Sequence, residues 1–98
     1  MAQPVLISDR LTAAGFRLAG VRALVPDPDE VATVFREVLK DRQPVMITAE
    51  LTRHLPDGLL DEAVHRADPP VAIIPDIERK REPADMGESV RRALGVEA

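Results

Sequence analysis

The sequence has no cysteine, no tryptophan and no tyrosine, and its only aromatic residues are Phe16 and Phe35. Lack of cysteine excludes disulfides, a thiolate nucleophile and Cys-ligated metal centres. Lack of aromatics removes the stacking platforms that single-strand nucleic-acid binders present to bases, and it leaves an aliphatic interior of Val, Leu, Ile and Ala. Basic charge is short as well: the formal net charge is −4 and the isoelectric point about 5.1. That balance argues against a nucleic-acid partner, which needs a concentrated basic face. No apolar run approaches the length of a membrane span. The opening Met1-Ala2-Gln3-Pro4 carries neither the basic nor the apolar region of a secretory signal, and the expected location is the cytoplasm.

What is present fits one small soluble domain: 98 residues, 45% hydrophobic and 31% charged. A chain of this size hides only ~60–68% of its unfolded surface. Its margin of stability is thin, and a permanent partner would be a natural supplement.

The segments alternate in type. Val5 to Ser8 is a short apolar run between Pro4 and Asp9, as in a parallel strand buried on both faces. Leu11, Ala14, Gly15, Leu18 and Ala19 then recur at helical spacing and predict a buried stripe, with Asp9 as N-cap and Gly20 as C-terminal stop. Gly15 within that stripe implies close approach to a strand or to a partner's backbone. Val21 to Val25 predicts a second strand, and its Arg22 suits a sheet edge. Asp27-Pro28-Asp29-Glu30 is a strong helix start, with a cap, a proline and acids in the first turn. The stripe Val31, Val34, Phe35, Val38, Leu39 follows, and Lys40 and Arg42 stand near its end. Pro44 to Thr48 reads as the third strand and Ala49 to Leu55 as a short helical turn. A helix opening at Pro56 carries Leu59, Leu60, Ala63, Val64 and Ala67, and Val71 to Ile74 is the fourth strand.

Beyond Pro75 the stretch Asp76-Ile77-Glu78-Arg79-Lys80-Arg81-Glu82-Pro83 is almost entirely charged and reads as a solvated linker. A last helix follows, with Asp85 and Glu88 as its capping pair, Met86, Val90, Ala93 and Leu94 as its stripe, and Gly95 as its stop. The expected organisation is a compact domain over 1–75, a linker over 76–84 and a terminal helix and tail over 85–98. The β-α-β alternation predicts an α/β fold with a parallel four-stranded sheet in order 2-1-3-4 and helices on both faces.

Such sheets bind ligands beyond the carboxyl ends of their strands, here at Ser8-Asp9-Arg10, Pro26-Asp27, Thr48-Ala49-Glu50 and Pro75-Asp76. A dinucleotide site needs glycines directly after the first strand, and Gly15 and Gly20 come too late. A phosphoacceptor receiver needs an Asp at the end of the third strand, where Thr48 stands, with further acids and a well-placed lysine. Asp9 supplies one acid, and Lys40 and Lys80 are the only lysines. His54 and His65 lack metal-ligand spacing, and Asp61 with His65 reads as a surface pair. Ser8 and His54 lie in no nucleophile elbow. No catalytic, cofactor-binding or metal-binding residue is therefore assigned.

Two features point to a partner. Phe16 falls off the first helix's stripe, beside Arg17; either the pair forms an interface hot spot, or Phe16 covers the sheet's edge. The terminal helix either packs back on its own sheet or, on the charged linker, docks its stripe on another protein. The candidate interface residues are Phe16, Arg17, Met86, Val90, Arg91 and Leu94.

The chain resembles the F-subunit family of V-type (archaeal-type) rotary ATPases and ATP synthases. The likeness rests on the strand ending in Asp9, Gly15-Phe16-Arg17-Leu18-Ala19-Gly20-Val21, Asp27-Pro28-Asp29-Glu30, Ile47-Thr48, Pro69-Pro70-Val71 leading to Ile73-Ile74-Pro75, and Glu88-Ser89-Val90-Arg91-Arg92-Ala93-Leu94-Gly95. The resemblance implies a Rossmann-like or flavodoxin-like domain in the central rotor stalk, without active site or cofactor. It implies binding to the coiled-coil D subunit, rotation inside the catalytic A/B head, coupling to ion flow through the membrane ring, and a terminal helix that tunes ATP hydrolysis. A receiver-like or small-ligand-sensing module is the rival reading.

Overall fold

The computed structural model describes residues 3–75; the expected linker at 76–84 and terminal helix at 85–98 lie outside the described residues. Four parallel strands are present among the described residues: β1 (Val5–Ile7), β2 (Arg22–Leu24), β3 (Val45–Thr48) and β4 (Val71–Ile74). They lie in the order β2-β1-β3-β4, as the alternation predicts. In register, Leu6 stands between Ala23 on one side and Met46 on the other, and Met46 is followed by Ala72 on β4. The central position of β1 explains why all three of its residues are buried and apolar.

The two faces of the sheet are filled differently. Successive strand residues point to opposite faces. Val5, Ile7, Val45 and Ile47 join Val31, Phe35 and Val38 in the larger core cluster. Those last three come from α2 (Val31–Lys40), whose expected stripe is buried as read; Val34 and Leu39 pack at its margin. A single 3-10 turn at Pro28–Glu30 precedes α2, and the Glu30 carboxylate reaches back to the Asp27 N–H at 3.4 Å. The same face receives Leu51 from α3 (Ala49–Thr52) and Ala63 from α4 (Leu59–Arg66). The other face is thinner: Leu6, Ala13 and Ala23 are its buried members, with Phe16, Val21, Met46 and Ile74 half-buried around them.

The first helix differs from expectation. α1 spans Arg10–Leu18 with Asp9 as its N-cap, and Gly20 stops it at φ 86°, in the left-handed region where glycine carries no Cβ penalty. The residues it buries are Thr12 and Ala13, with Phe16 half-buried beside them. Leu11, Ala14, Gly15, Leu18 and Ala19, the stripe that periodicity assigns to the core, are all exposed. The cause is Thr12: its hydroxyl donates to the Asp9 carboxylate at 2.6 Å, and once that polar group is paired its methyl behaves as a small apolar contact. Small residues at 12 and 13 let the helix lie close over β1 and β2, and the two-residue connection Ser8-Asp9 fixes that phase.

A second correction concerns α4. It starts at Leu59 rather than at Pro56, because Gly58 turns the chain at φ 84° immediately before it. Leu59, Leu60 and Ala63 face the core, whereas Val64 is 41% exposed and Ala67 is the left-handed residue that ends the helix.

Candidate functional site

The carboxyl ends of the strands, where a ligand would enter such a sheet, are occupied by side chains with structural duties. Ser8 is buried, and its hydroxyl donates to the Asp9 carbonyl at 2.9 Å. Asp9 accepts from the Leu11 N–H at 3.1 Å, the Thr12 N–H at 3.3 Å and the Thr12 hydroxyl. Partial burial is the largest single influence on this carboxyl and opposes its ionisation, but the Thr12 and backbone hydrogen bonds together outweigh it and hold its pKa below the ordinary carboxylate value. The acid that a receiver-type site would turn toward a metal is thus committed to the helix start. Thr48, at the end of β3, is fully buried, and its hydroxyl finds no hydrogen-bond partner among the described residues. Glu50 lies just beyond, paired with Arg53 at 2.9 Å. Among the described residues, no group of three or more His, Asp or Glu side chains is placed to hold a metal ion.

The histidines stand apart. His54 is half-buried at the end of the α3 turn. His65 is exposed on α4, where its Nδ1 donates to the Asp61 carbonyl at 3.0 Å, an interaction within one helix.

Phe16 and Arg17 sit next to each other but point to different tasks. Phe16 packs on the thinner sheet face with Leu6, Ala13 and Ala23. Arg17 is exposed, yet its Nη2 donates to the Ala23 carbonyl at 2.7 Å. The Leu24 carbonyl pairs inward with the N–H of Ser8, the residue that follows β1, and carbonyls alternate in direction along a strand. The Ala23 carbonyl therefore points off the free side of β2, an edge strand. Arg17 closes part of that edge, which otherwise presents unpaired backbone groups for pairing with another chain. Met86, Val90, Arg91 and Leu94, the other residues proposed from sequence, lie outside the described residues.

Sequence reasoning misses the exposed side of α1. Leu18 is 92% exposed and Leu11 51% exposed, and Ala14 and Gly15 lie on the same side. The signal is present in the helical spacing; periodicity assigns it to the core because nothing in the sequence marks Thr12 as the residue that faces inward. Arg10 and Arg17 fall together on one flank of this stripe, Asp9 caps the helix at its start, and Arg22, in register with Val5, points to the opposite face of the sheet. Residues 10 to 25 hold Arg10, Arg17 and Arg22 and no acid, in a chain that is acidic overall.

Residues 5–93 match the family described as the ATP synthase (F/14-kDa) subunit. The chain is 31% identical to the F subunit of the A-type ATP synthase of Methanothermobacter thermautotrophicus, over 94% of its own length and 92% of the relative's. Its fold is similar to the crystal structure of the V-type ATP synthase F subunit from Archaeoglobus fulgidus, with a TM-score of 0.64 and 23% identity, over 74% of this chain and 96% of the other.

Proposed function

Since this chain belongs to the ATP synthase (F/14-kDa) subunit family, we propose that it is a non-catalytic part of the central rotor stalk, that it binds the coiled-coil D subunit, and that it helps couple ATP synthesis or hydrolysis in the A/B head to ion transport. The observation that carries this reading is the near full-length match to a relative named as the F subunit of an A-type ATP synthase. The physics supports it. A stalk component has to pass torque without deforming, and a sheet whose core is close-packed has low compressibility. Strand-end polar groups spent on capping, as at Asp9, suit a binding role better than a reaction. No helix among the described residues is long and apolar enough to cross a membrane, which agrees with a peripheral position in the complex.

In this reading the compact domain grips the shaft, and the segment 85–98 reaches the head through Met86, Val90, Arg91 and Leu94 across the linker at 76–84. The test is co-expression with the D subunit of the same complex. Stable co-purification, followed by a change in ATP hydrolysis when the pair is added to the A/B head, supports the reading. A chain that fails to associate with the D subunit, or that hydrolyses ATP by itself, refutes it.

A further inference from the structure

We propose that the Asp57-Gly58 bond is a modification site: in the folded chain it converts spontaneously to an isoaspartyl linkage, and the change loosens the start of α4. The inference concerns the chain's own chemistry and does not depend on the stalk reading.

The reaction needs only water. The Gly58 backbone nitrogen attacks Cγ of Asp57. An N–Cγ bond forms, the nitrogen gives up its proton, and the carboxyl's hydroxyl leaves with a proton as water. The product is a five-membered succinimide ring. Water then adds to one of its two carbonyls. Opening at the N–Cγ bond restores aspartate. Opening at the bond between nitrogen and the α-carbonyl leaves the main chain running through Cγ, with a free carboxylate on Cα.

The site meets the requirements of that ring. The sequence has no asparagine and a single Asp-Gly pair, and glycine has no Cβ to crowd the attacking nitrogen. A Cβ placed on Gly58 would meet no atom within 4 Å, so the surrounding space is open. Pro56, Asp57 and Gly58 are all exposed. They form a turn closed by the Leu59 N–H donating to the Pro56 carbonyl at 3.2 Å. Gly58, at φ 84° and ψ −19°, fits the third position of a type II turn. Among the described residues, no hydrogen bond reaches the Asp57 carboxylate or leaves the Gly58 N–H. Attacking and attacked groups are both uncommitted.

The other aspartates of the described residues are each blocked. Asp27 and Asp68 precede Pro28 and Pro69, which have no N–H to lose. The Asp9 carboxylate is held by Leu11 and Thr12. After Asp29, Asp41 and Asp61 the attacking N–H is already spent: Glu30 donates to the Asp27 carbonyl at 2.8 Å, Arg42 to Leu39 at 3.0 Å and Glu62 to Gly58 at 3.0 Å. Asp57 stands out by geometry as well as by its neighbour.

The consequence follows from the position. Gly58 is the residue from which α4 starts, and Leu59, Leu60 and Ala63 pack from that helix into the larger core. An isoaspartyl linkage inserts one extra carbon into the main chain directly before it. The Leu59-to-Pro56 turn bond loses its register, and the first turn of α4 is no longer held at its proper distance from the core.

The full-length chain and its Asp57→Glu variant are held for weeks in warm, mildly acidic buffer, with a matching sample of the natural chain in urea. Peptide chromatography with electron-transfer fragmentation distinguishes isoaspartate from aspartate at equal mass. Isoaspartate should accumulate at position 57 in the folded chain less than about tenfold more slowly than in urea, because an exposed turn opens at little cost. Asp29, Asp41 and Asp61 should stay unmodified in the folded chain. The aged natural chain should lose urea midpoint against a fresh sample, whereas Asp57→Glu, whose ring would need six members, should keep its own. An Asp57 that survives in the folded chain while isomerising in urea overturns the proposal, as does equal reaction at Asp29, Asp41 and Asp61. An unchanged urea midpoint in chains carrying isoaspartate at 57 overturns the effect on α4.

Discussion

Replacing Asp9 tests how the fold sets the phase of its first helix. The Asp9 carboxylate accepts from two backbone N–H groups at the start of α1 and from the hydroxyl of the fully buried Thr12 at 2.6 Å. Loss of an N-cap costs about 1 kcal/mol, and loss of the hydrogen bond between a buried hydroxyl and a carboxylate adds about 1 to 2 kcal/mol. Asp9→Ala should therefore destabilise the chain by about 2 to 3 kcal/mol, roughly 10–20 °C in melting temperature for a domain of this size. Asp9→Asn keeps an acceptor oxygen and should lose well under half of that. Thr12→Val removes the hydroxyl shared with Asp9, so Asp9→Ala/Thr12→Val should fall short of the summed single effects by about 1 kcal/mol. Urea unfolding followed by far-UV circular dichroism is the assay, because the chain has no Trp or Tyr to report by fluorescence. The pH dependence has a definite sign. The folded carboxyl lies below its ordinary 3.8, so its charge-dependent stabilisation is complete above that value and fades as pH falls through the lower folded pKa. The gap between the natural chain and Asp9→Asn should narrow in that window and stay constant above it. Strict additivity of the double variant, or a loss below about 0.5 kcal/mol for Asp9→Ala, would show that the cap and Thr12 do not hold α1 in place.

Phe35→Ala removes the largest fully buried side chain among the described residues and should cost about 3–5 kcal/mol, enough to leave much of the chain unfolded at 37 °C; a loss under about 2 kcal/mol by urea titration would contradict its central place in the core. Thr48→Val deletes a buried hydroxyl with no partner among the described residues and keeps its shape, so it should stabilise by about 1 kcal/mol; a clear decrease in the urea midpoint would reveal a partner for that oxygen. Arg17→Ala frees the Ala23 carbonyl on the β2 edge and should lower stability by about 1 kcal/mol while increasing concentration-dependent self-association in light scattering. Scattering unchanged from the natural chain would mean that the edge needs no cover.

Much of this architecture can be read from residue order, but unevenly. β1, β3 and β4 stand out because short apolar runs between prolines and acids have few alternatives in a parallel sheet. α2 is legible because several signals agree: Asp27, Pro28 and Glu30 set its start, and Val31, Phe35 and Val38 repeat on one side. Where signals conflict, the reading fails. In α1 the strongest apolar repeat and the buried side are different faces, and a hydrogen bond between two polar residues decides between them. In α4 the proline at 56 is a plausible first residue, but the left-handed turn at Gly58 comes later and sets the real start. Both differences arise where a local polar or backbone detail overrides hydrophobic period, which composition cannot reveal.

The inverted helix also carries information about function. A domain of this size has little apolar surface to spare, and its thinner sheet face is closed with Ala13, Ala23 and a half-buried Phe16. Turning α1 over would bring Leu11 and Leu18 onto that face and bury more area, worth about 1.5–3 kcal/mol for each leucine. The sequence forgoes that gain and instead keeps Asp9 and Thr12 as a pair whose geometry holds the leucines outward. Selection for the isolated domain's stability alone would favour the opposite arrangement. An outward apolar stripe at Leu11 and Leu18 makes physical sense when the stable unit includes a second protein, so that burial completes at assembly rather than at folding.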